Sequence, residues 1–226
     1  AAIELISKKY DIKVLEDAAQ GFGGQIDDRM AGSFGDAAST SFFPAKPLGC
    51  YGDGGAIFTD DDELYDKLVS VRVHGKGGDK YDNVRIGING RMDTLQAAIV
   101  LEKFTLFPGE VKLRNEKAAK YNELLSNRVV TPQVASGYTS SWAQYSILAN
   151  DADDRAVLQA KLKEAGIPSA VYYPKPLHQQ TAFNHLSYKD GDFPVSEAMS
   201  QRIFSLPMHP YLEIADIEKI CEILNA

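Results

Sequence analysis

Short apolar segments alternate with amphipathic helical segments along this sequence, and this alternation constrains the fold more than any other feature. Residues 3–9 have a helical pattern, and the apolar run 12–15 that follows is typical of a buried strand. Further strands are predicted at 39–43 and 55–59, and a helix at 61–72 begins with acidic residues that suit a helix N-terminus. Helix, short loop and strand in this order predict an α/β fold.

The second half of the chain has an alternation of its own, which predicts a second, smaller α/β domain. Strands are expected at 141–148 and 167–173, and helices at 153–165, 195–204 and 214–224. Gly166 is expected to stop the first of these helices. Tyr145, Tyr173 and Trp142 are expected in the core.

The division between the two halves is expected near Pro108 and Gly109. These residues should end a helix at 94–104, because proline lacks a backbone donor and clashes with the preceding turn. A polar-apolar helix at 110–125 would then connect the halves. We therefore predict a large domain over 1–108, and a linker helix with a small C-terminal domain over 109–226.

Composition excludes several classes of protein. The 226 residues carry a formal net charge of -7, and a basic stripe is absent, which argues against nucleic-acid binding. No apolar run approaches membrane-spanning length. The two cysteines, Cys50 and Cys221, form no C-x-x-C pair, so we expect a reducing cytoplasm and neither a disulfide framework nor a metal site. The first residues lack a signal-peptide pattern and an initiator Met, and we expect the true beginning to be missing.

Charged and hydroxyl side chains stand where two of the predicted strands end. Asp17 follows the strand at 12–15, and Ser41 lies in the strand at 39–43. Lys46 follows Ser41 by five residues, in a loop that prolines keep out of a helix. Because ligands bind outside the carboxyl ends of the strands in open α/β sheets, we expect these side chains to line a ligand site.

An enzyme that uses pyridoxal phosphate (PLP) needs these residue types. A lysine amine binds the cofactor, a carboxylate keeps the pyridine nitrogen protonated, and hydroxyl and backbone N–H groups bind the phosphate. Lys46, Asp17 and Ser41 supply the three side chains. Glycines at 52, 54 and 55 would let the backbone approach a ligand closely.

Each of these residues also has an ordinary explanation. A loop lysine is usually a solvated surface charge, and an aspartate after a strand usually forms a turn or caps a helix. A serine in a strand is usually a polar residue without a specific function. The G-x-G fragments at 21–23 and 75–77 match neither a Walker loop nor a dinucleotide fingerprint, which argues against a Rossmann-type oxidoreductase. Composition and periodicity alone predict an α/β protein with a candidate ligand loop.

Longer motifs carry a resemblance to a known family. They include the segments Glu16-Asp17-Ala18-Ala19-Gln20 and Ser41-Phe42-Phe43-Pro44-Ala45-Lys46. The further matching segments, in the same order, are 52–55, 87–98, 141–145, 173–178 and 206–210. In these segments the chain resembles the DegT/DnrJ/EryC1/StrS nucleotide-sugar aminotransferases, whose architecture is fold type I (aspartate aminotransferase-like). The resemblance begins after the family's first strands and phosphate-binding turn, so we expect an incomplete large domain that holds PLP poorly.

The resemblance implies roles for five cofactor-binding residues. Lys46 matches the catalytic lysine that forms the Schiff base with PLP, and Asp17 matches the partner of the pyridine nitrogen. Gln20 matches a residue near the phenolic oxygen of the ring, and Ser41 matches a phosphate ligand. Asn89 matches a residue that reaches the phosphate of the neighbouring subunit, which implies a homodimer with shared active sites.

Arg91 and His178 match positions that contact the sugar nucleotide in related enzymes. Other interpretations stay open, since Arg91 could pair with an acid on a helix and His178 could be a packed loop histidine. The segment Asn89-Gly90-Arg91 is most similar to enzymes that act on 3-keto sugars, including UDP-linked 3-keto uronic acids. An arginine suits a sugar carboxylate or a diphosphate, which it can grip with a fork of donors.

The function implied by the resemblance is transfer of an amino group, with L-glutamate as donor, to a keto sugar of a nucleotide-diphosphate sugar. The related enzymes serve O-antigen and other surface polysaccharide pathways in bacteria. One alternative is a PLP-fold sugar dehydratase, which has a histidine in place of the lysine at position 46. A second alternative is a non-catalytic binding or regulatory protein on the same fold.

Overall fold

In the computed structural model, which describes residues 2–125 and 127–226, the chain divides into two units. The first unit extends to Val111 and includes the later segment Ser136–Ala143. The second unit consists of Lys112–Ala135 and Gln144–Ala226. The sequence-based boundary at 108/109 lies three residues before the end of the first segment, and the return of Ser136–Ala143 to the first unit had no sequence signal.

Six α-helices and eight strands are present in the part of the chain that the structure describes. The helices are α1 (Ala2–Tyr10), α2 (Asp62–Arg72), α3 (Thr94–Leu125), α4 (Ala152–Glu164), α5 (Pro194–Arg202) and α6 (Ile214–Asn225). The strands are β1 (Leu15–Asp17), β2 (Gln25–Ile26), β3 (Arg29–Met30), β4 (Ala37–Ser41), β5 (Gly55–Phe58), β6 (Tyr138–Thr139), β7 (Tyr145–Leu148) and β8 (Ile203–Leu206). Within this part of the chain, none of the helices has the length and apolar character needed to cross a bilayer.

The main sheet of the first unit has the strand order β1-β4-β5. Strand β1 runs parallel to β4, with Asp17 opposite Ser39, and β5 runs antiparallel to β4, with Ser41 opposite Gly55. Strand β1 begins only at Leu15, whose side chain is exposed, so the predicted buried strand at 12–15 is wrong in both position and burial. The register nevertheless brings the carboxyl ends of β1 and β4 together.

An apolar core lies against this sheet and the first half of α3. It contains the buried side chains Phe42, Leu48, Cys50, Val100, Phe107 and Val111, with Phe22, Ala56 and Met92 packed against them. The ring of Phe22 stacks on the rings of Phe58 and Phe107. Burial of this kind is the dominant stabilising contribution, at about 1.5–3 kcal/mol for each large apolar side chain.

Helix α2 begins as the sequence predicts. The Asp61 carboxylate accepts the Leu64 N–H at 3.0 Å and so caps the N-terminus. Asp62 and Glu63 in the first turn complement the helix dipole.

Helix α3 continues through Pro108, so the predicted helix end at Pro108-Gly109 is wrong. An internal proline costs about 3 kcal/mol through its missing N–H and the clash with the preceding turn. Val100, Phe107 and Val111 lie on one face of α3 and are buried in the core of the first unit. The helical path buries all three side chains together, and this packing offsets the local cost of the proline.

The second unit contains a two-stranded antiparallel sheet, β7-β8, with helices α4, α5 and α6. Its largest fully buried side chains are Tyr121, Tyr145, Phe204, Leu125, Ile147, Leu158, Leu162, Ile217 and Leu224. The predicted core position of Tyr145 is therefore confirmed. Gly166 follows α4 with a φ of +73°, a conformation that favours glycine, and confirms the predicted helix stop.

The predicted strand at 167–173 is wrong. Only Ala170 makes a bridge there, to Ser205, and Tyr173 is 66% exposed rather than in the core. Pro168 lies within the segment and Pro174 directly follows it, and each lacks the N–H that a sheet ladder requires. The apolar run therefore follows an irregular path. Trp142, in the first unit, is buried as predicted.

Candidate active site

The carboxyl ends of β1 and β4 place an acid and a hydroxyl on one face of the sheet. Asp17 lies opposite Ser39 in the parallel register, and the Ala18 N–H continues the ladder by donating to the Ser39 carbonyl at 2.8 Å. Residues two apart in a strand share a face, so Asp17, Ser39 and Ser41 lie on the same side. On the opposite side, Ala38 and Thr40 are buried. The chemistry-bearing face is therefore the open one.

Short local hydrogen bonds orient both side chains. The Asp17 carboxylate accepts the Ala19 N–H at 3.0 Å, and the Ser41 hydroxyl accepts the Phe43 N–H at 3.2 Å. A carboxylate has about four acceptor sites, and a serine hydroxyl that accepts one bond can still donate its own hydrogen. Both groups are thus fixed by the backbone and keep capacity for a ligand.

Lys46 lies in a closed loop directly after β4. The Cys50 N–H donates to the Phe42 carbonyl at 2.8 Å, and the Lys46 N–H donates to the Phe43 carbonyl at 2.9 Å. A side chain at Gly49 would place its Cβ 2.7 Å from the Phe43 oxygen, so glycine is required for the loop to fold back on itself. Lys46 is half-buried at this turn, five residues beyond Ser41.

Gln20 lies in the turn that follows β1. The Ser141 hydroxyl donates to the Gln20 carbonyl at 2.7 Å, and a Cβ at Gly24 would meet the Thr139 oxygen at 2.9 Å. The segment 136–143 therefore holds the backbone of this turn. The Gln20 side chain itself is exposed, within four residues of Asp17.

Asn89 and Arg91 are brought together in an exposed segment of the first unit. The Nε and Nη2 atoms of Arg91 both donate to Oδ1 of Asn89 at 3.1 Å. The hydrogen-bond partner of Arg91 is therefore an amide oxygen, and not the helix acid that was the alternative interpretation. A guanidinium has five N–H donors, so most of the Arg91 donors still face outward.

His178 lies in the second unit, in a 3₁₀ turn (Leu177–Gln179). Its Nε2 is 2.9 Å from Oε1 of Glu197, its ring centroid is 4.7 Å from that of Phe193, and its side chain is 7% exposed. This geometry matches the packed loop histidine of the second interpretation. The other six predicted site residues, Asp17, Gln20, Ser41, Lys46, Asn89 and Arg91, all belong to the first unit.

Three residues that sequence reasoning did not select contact the Lys46 loop. Gln96 and Lys103 on α3 bond to the backbone at Tyr51 and Gly49, and the Cys50 thiol lies 3.0 Å from the Phe42 carbonyl oxygen. Gln96 falls inside the motif at 87–98, which was its only signal in the sequence. Lys103 had none.

Two further features do not add to the site. A cavity of about 780 Å³ lies between the sheet and α2, but neither Asp17 nor Lys46 lines it. Across residues 2–125 and 127–226, the structure contains no group of three or more His, Cys, Asp or Glu side chains arranged to hold a metal ion. The assignment of the site therefore rests on the strand ends and the Lys46 loop.

A known protein family matches this chain over nearly its whole length. The model of the DegT/DnrJ/EryC1/StrS aminotransferase family matches residues 1–225. A similar curated protein is UDP-2-acetamido-2-deoxy-3-oxo-D-glucuronate aminotransferase of Pseudomonas aeruginosa, which is 45% identical over 99% of this chain. The chain spans 61% of the length of that relative.

Solved structures give the same architecture. A DegT DnrJ EryC1 StrS aminotransferase from Brucella abortus is 52% identical and superposes with a TM-score of 0.94, over 99% of this chain and 59% of its own. NtdA from Bacillus subtilis, solved with the bound cofactor PMP, is 31% identical with a TM-score of 0.85, over 99% of this chain and 53% of its own. These matches confirm the predicted fold type I architecture.

Proposed function

Because this chain belongs to the DegT/DnrJ/EryC1/StrS aminotransferase family, we propose that it carries the lysine site of a PLP-dependent nucleotide-sugar aminotransferase. The observation that carries the proposal is the convergence of Asp17, Ser41 and the Lys46 loop at one end of the sheet. A carboxylate, a hydroxyl and an amine are the groups that bind the pyridine nitrogen, the phosphate and the aldehyde of PLP.

The chemistry of these residues fits PLP. Lys46 would bind the cofactor through its amine, and the Asp17 carboxylate would keep the pyridine nitrogen protonated. The Ser41 hydroxyl has its hydrogen to donate to a phosphate oxygen, because its local bond to Phe43 uses it only as an acceptor. Gln20 would lie near the phenolic oxygen, and Asn89 would reach the phosphate in a neighbouring subunit.

The bound cofactor supplies an electron sink that stabilises negative charge on a carbon next to the transferred nitrogen. Lys46 supplies the proton transfers. Once the amino group of the donor has taken its place on the cofactor, the freed Nζ would accept the proton from the α-carbon of the donor, and would later deliver a proton to the carbon of the sugar that receives the amine. The closed loop around Gly49 restricts where this amine can move, so that one group serves both half-reactions.

We propose that the donor is L-glutamate and that the acceptor is a 3-keto sugar of a nucleotide-diphosphate sugar, in bacterial surface polysaccharide (O-antigen) biosynthesis. The name of the Pseudomonas relative, a UDP-linked 3-oxo uronate aminotransferase, supports this choice. Arg91 also supports it, since its outward donors suit a sugar carboxylate or a diphosphate.

We also propose a homodimer in the cytoplasm. Tyr81, Ile86 and Ile88 are 84%, 97% and 63% exposed on the segment that leads to Asn89, and a second copy would remove them from water. The thiols of Cys50 and Cys221 are both free, which suits a reducing compartment.

Covalent trapping tests the assignment of Lys46. The purified chain is mixed with PLP and reduced with borohydride, and the labelled peptide is identified by mass. We expect label on the Lys46 peptide, its loss in Lys46→Ala, and its retention in Lys80→Ala, which removes an exposed loop lysine instead. With L-glutamate and a UDP-linked 3-keto sugar, the protein should lose at least about 10²-fold in amino transfer when Lys46 is replaced by Ala.

Each outcome separates the alternatives. Absence of label at Lys46 would overturn the proposal. Label at Lys46 without amino transfer would favour the non-catalytic alternative. A product that has lost a hydroxyl and gained no amine would favour the dehydratase alternative.

A further inference from the structure

Helix α3 is bonded to the Lys46 loop at two points on one of its faces. Oε1 of Gln96 accepts the Tyr51 N–H at 2.8 Å. The ammonium group of Lys103 donates to the carbonyl of Gly49. Gln96 and Lys103 are seven residues apart, which is two helical turns, so they project from the same side of α3. The two bonds flank Cys50.

The surroundings of Gly49 and Tyr51 make the loss of either hydrogen bond to α3 unfavourable. Gly49 is buried, and a buried carbonyl without a donor is strongly unfavourable. Lys103 is half-buried, with its Nζ 5.5 Å from the centroid of the Tyr51 ring. Its charge is therefore held in place by the carbonyl and the ring face together. Tyr51 itself is exposed, and its backbone N–H donates to Gln96.

These attachments reach Lys46 through a short and rigid path. Only Pro47 and Leu48 separate Lys46 from Gly49, and proline fixes its own φ angle. Leu48 and Cys50 are buried in the core beside Val100, also on α3. The loop is closed by the bond from the Cys50 N–H to the Phe42 carbonyl, so a movement at Gly49 must also move the turn that carries Lys46.

We infer that Gln96 and Lys103 are positioning residues for Lys46, which hold its loop at the end of the sheet where Asp17 and Ser41 lie. This inference rests on the proposed role of Lys46. Gln96 and Lys103 act through the loop backbone and do not touch the reacting atoms. Pre-organisation of this kind lowers the cost of placing a reactive group, and a small displacement of that group is expensive in rate.

The test compares Lys103→Met and Gln96→Ala with the conservative variants Lys103→Arg and Gln96→Glu. Arginine keeps a donor for Gly49, and glutamate keeps an acceptor for Tyr51. Glu102→Gln, an exposed change on the same helix, is the matched control. Two quantities are measured: amide hydrogen exchange at Lys46, Cys50 and Tyr51, and the initial rate of borohydride-trapped PLP at Lys46.

We expect each disruptive variant to raise amide exchange in the loop about fivefold or more, which corresponds to loss of one hydrogen bond. Trapping at Lys46 should slow by a similar factor, and the conservative variants should restore both readouts. Circular dichroism confirms that each variant is folded, and the conservative pair keeps the test decisive if Lys103→Met does not fold.

The outcomes distinguish this inference from the proposed function. Trapping that is unchanged in Lys103→Met and Gln96→Ala overturns the positioning role, even if exchange rises, because the contacts would then be structural only. Trapping absent from Lys46 in the parent protein, with normal trapping at other lysines, would instead contradict the proposed function and remove the premise of the inference.

Discussion

The carboxylate of Glu197 connects the ring of His178 to the turn at residues 191–193. One carboxylate accepts the N–H groups of Gly191 and Phe193 and also faces Nε2 of His178. The N–H of Gly191, followed by those of Phe193 and His178, lowers the pKa of the Glu197 carboxyl below its usual value of 4.5. The carboxylate is therefore charged throughout the neutral range, and His178 donates to it through Nε2.

Acidification should release this turn. Since the pKa of Glu197 is depressed in the folded protein, its stabilising contribution is complete above pH 4.5 and is lost as the pH falls through the folded value. We expect the amide chemical shifts of Gly191 and Phe193 to titrate with a midpoint below 4.5, and this titration to vanish in Glu197→Gln. A midpoint at or above 4.5 would contradict the assigned hydrogen bonds. Glu164→Gln, on α4, serves as the control.

The residues of the candidate site differ in how far the sequence could identify them. Asp17 and Ser41 were predictable because the ends of parallel strands meet at one sheet edge, whatever the details of packing. Gln96 and Lys103 were not, because their contacts join side chain to backbone across 45 and 54 residues of sequence. The bond from Arg91 to Asn89, two residues earlier, was likewise not predictable from any periodicity.

At the scale of elements, an ion pair connects the segment after α3 to the first turn of α4. Arg128 donates to both carboxylate oxygens of Asp154, at 3.1 and 2.6 Å, and the Asn150 N–H donates to the same carboxylate at 2.9 Å. The Arg128 bond lowers the pKa of Asp154 from 3.8 to about 2. The pair is bidentate and mostly shielded, with side-chain exposures of 26% and 16%.

Loss of this pair should destabilise the protein in a pH-dependent way. At pH 7, we expect Asp154→Asn to lower the free energy of unfolding by about 1–2 kcal/mol, because the full pKa shift corresponds to about 2.5 kcal/mol and solvent screening of the partly exposed pair reduces it. The difference should shrink as the pH falls from 3.8 towards 2, because wild-type Asp154 then becomes protonated. Denaturant titrations check this, with Asp153→Asn as an exposed control. A difference independent of pH would mean that charge is not the cause.

Local signals predicted the elements well where they agreed with tertiary packing. The acidic N-terminus of α2 and the helix stop at Gly166 are determined by neighbouring residues, and both predictions are confirmed. The predicted helix end at Pro108 is wrong because burial of Phe107 and Val111 stabilises a continuous α3. The predicted strand at 167–173 is wrong because its prolines lack the N–H groups that strand pairing requires. The first outcome depends on partners that lie far away in the sequence, whereas Pro168 and Pro174 were a local signal against a strand.

At the scale of the whole molecule, the α/β class followed from alternation alone, and fold type I required the longer motifs. The return of Ser136–Ala143 to the first unit could not be predicted, since it depends on the pairing of β6 with β2. The association of two copies of the chain also could not be predicted from local sequence patterns. The apolar side chains before Asn89 were not conspicuous in the sequence, and only their exposure in the fold identifies them as a candidate contact with a second copy.

The proposed homodimer can be tested at this segment. Ile86 is 97% exposed, and burial of such a side chain in an interface would contribute about 1.5–3 kcal/mol. We expect Ile86→Glu to place a charge in that interface and to weaken the dimer at least tenfold, as measured by sedimentation equilibrium of the purified protein. Val157→Glu, which changes an exposed aliphatic side chain on α4, should leave the dissociation constant unchanged.

A parent protein that is monomeric at every concentration would refute the homodimer, whereas equal weakening by both variants would move the interface away from Ile86. Should only Ile86→Glu dissociate the dimer, the segment that presents Asn89 would be placed at the contact between copies, where a shared active site requires it.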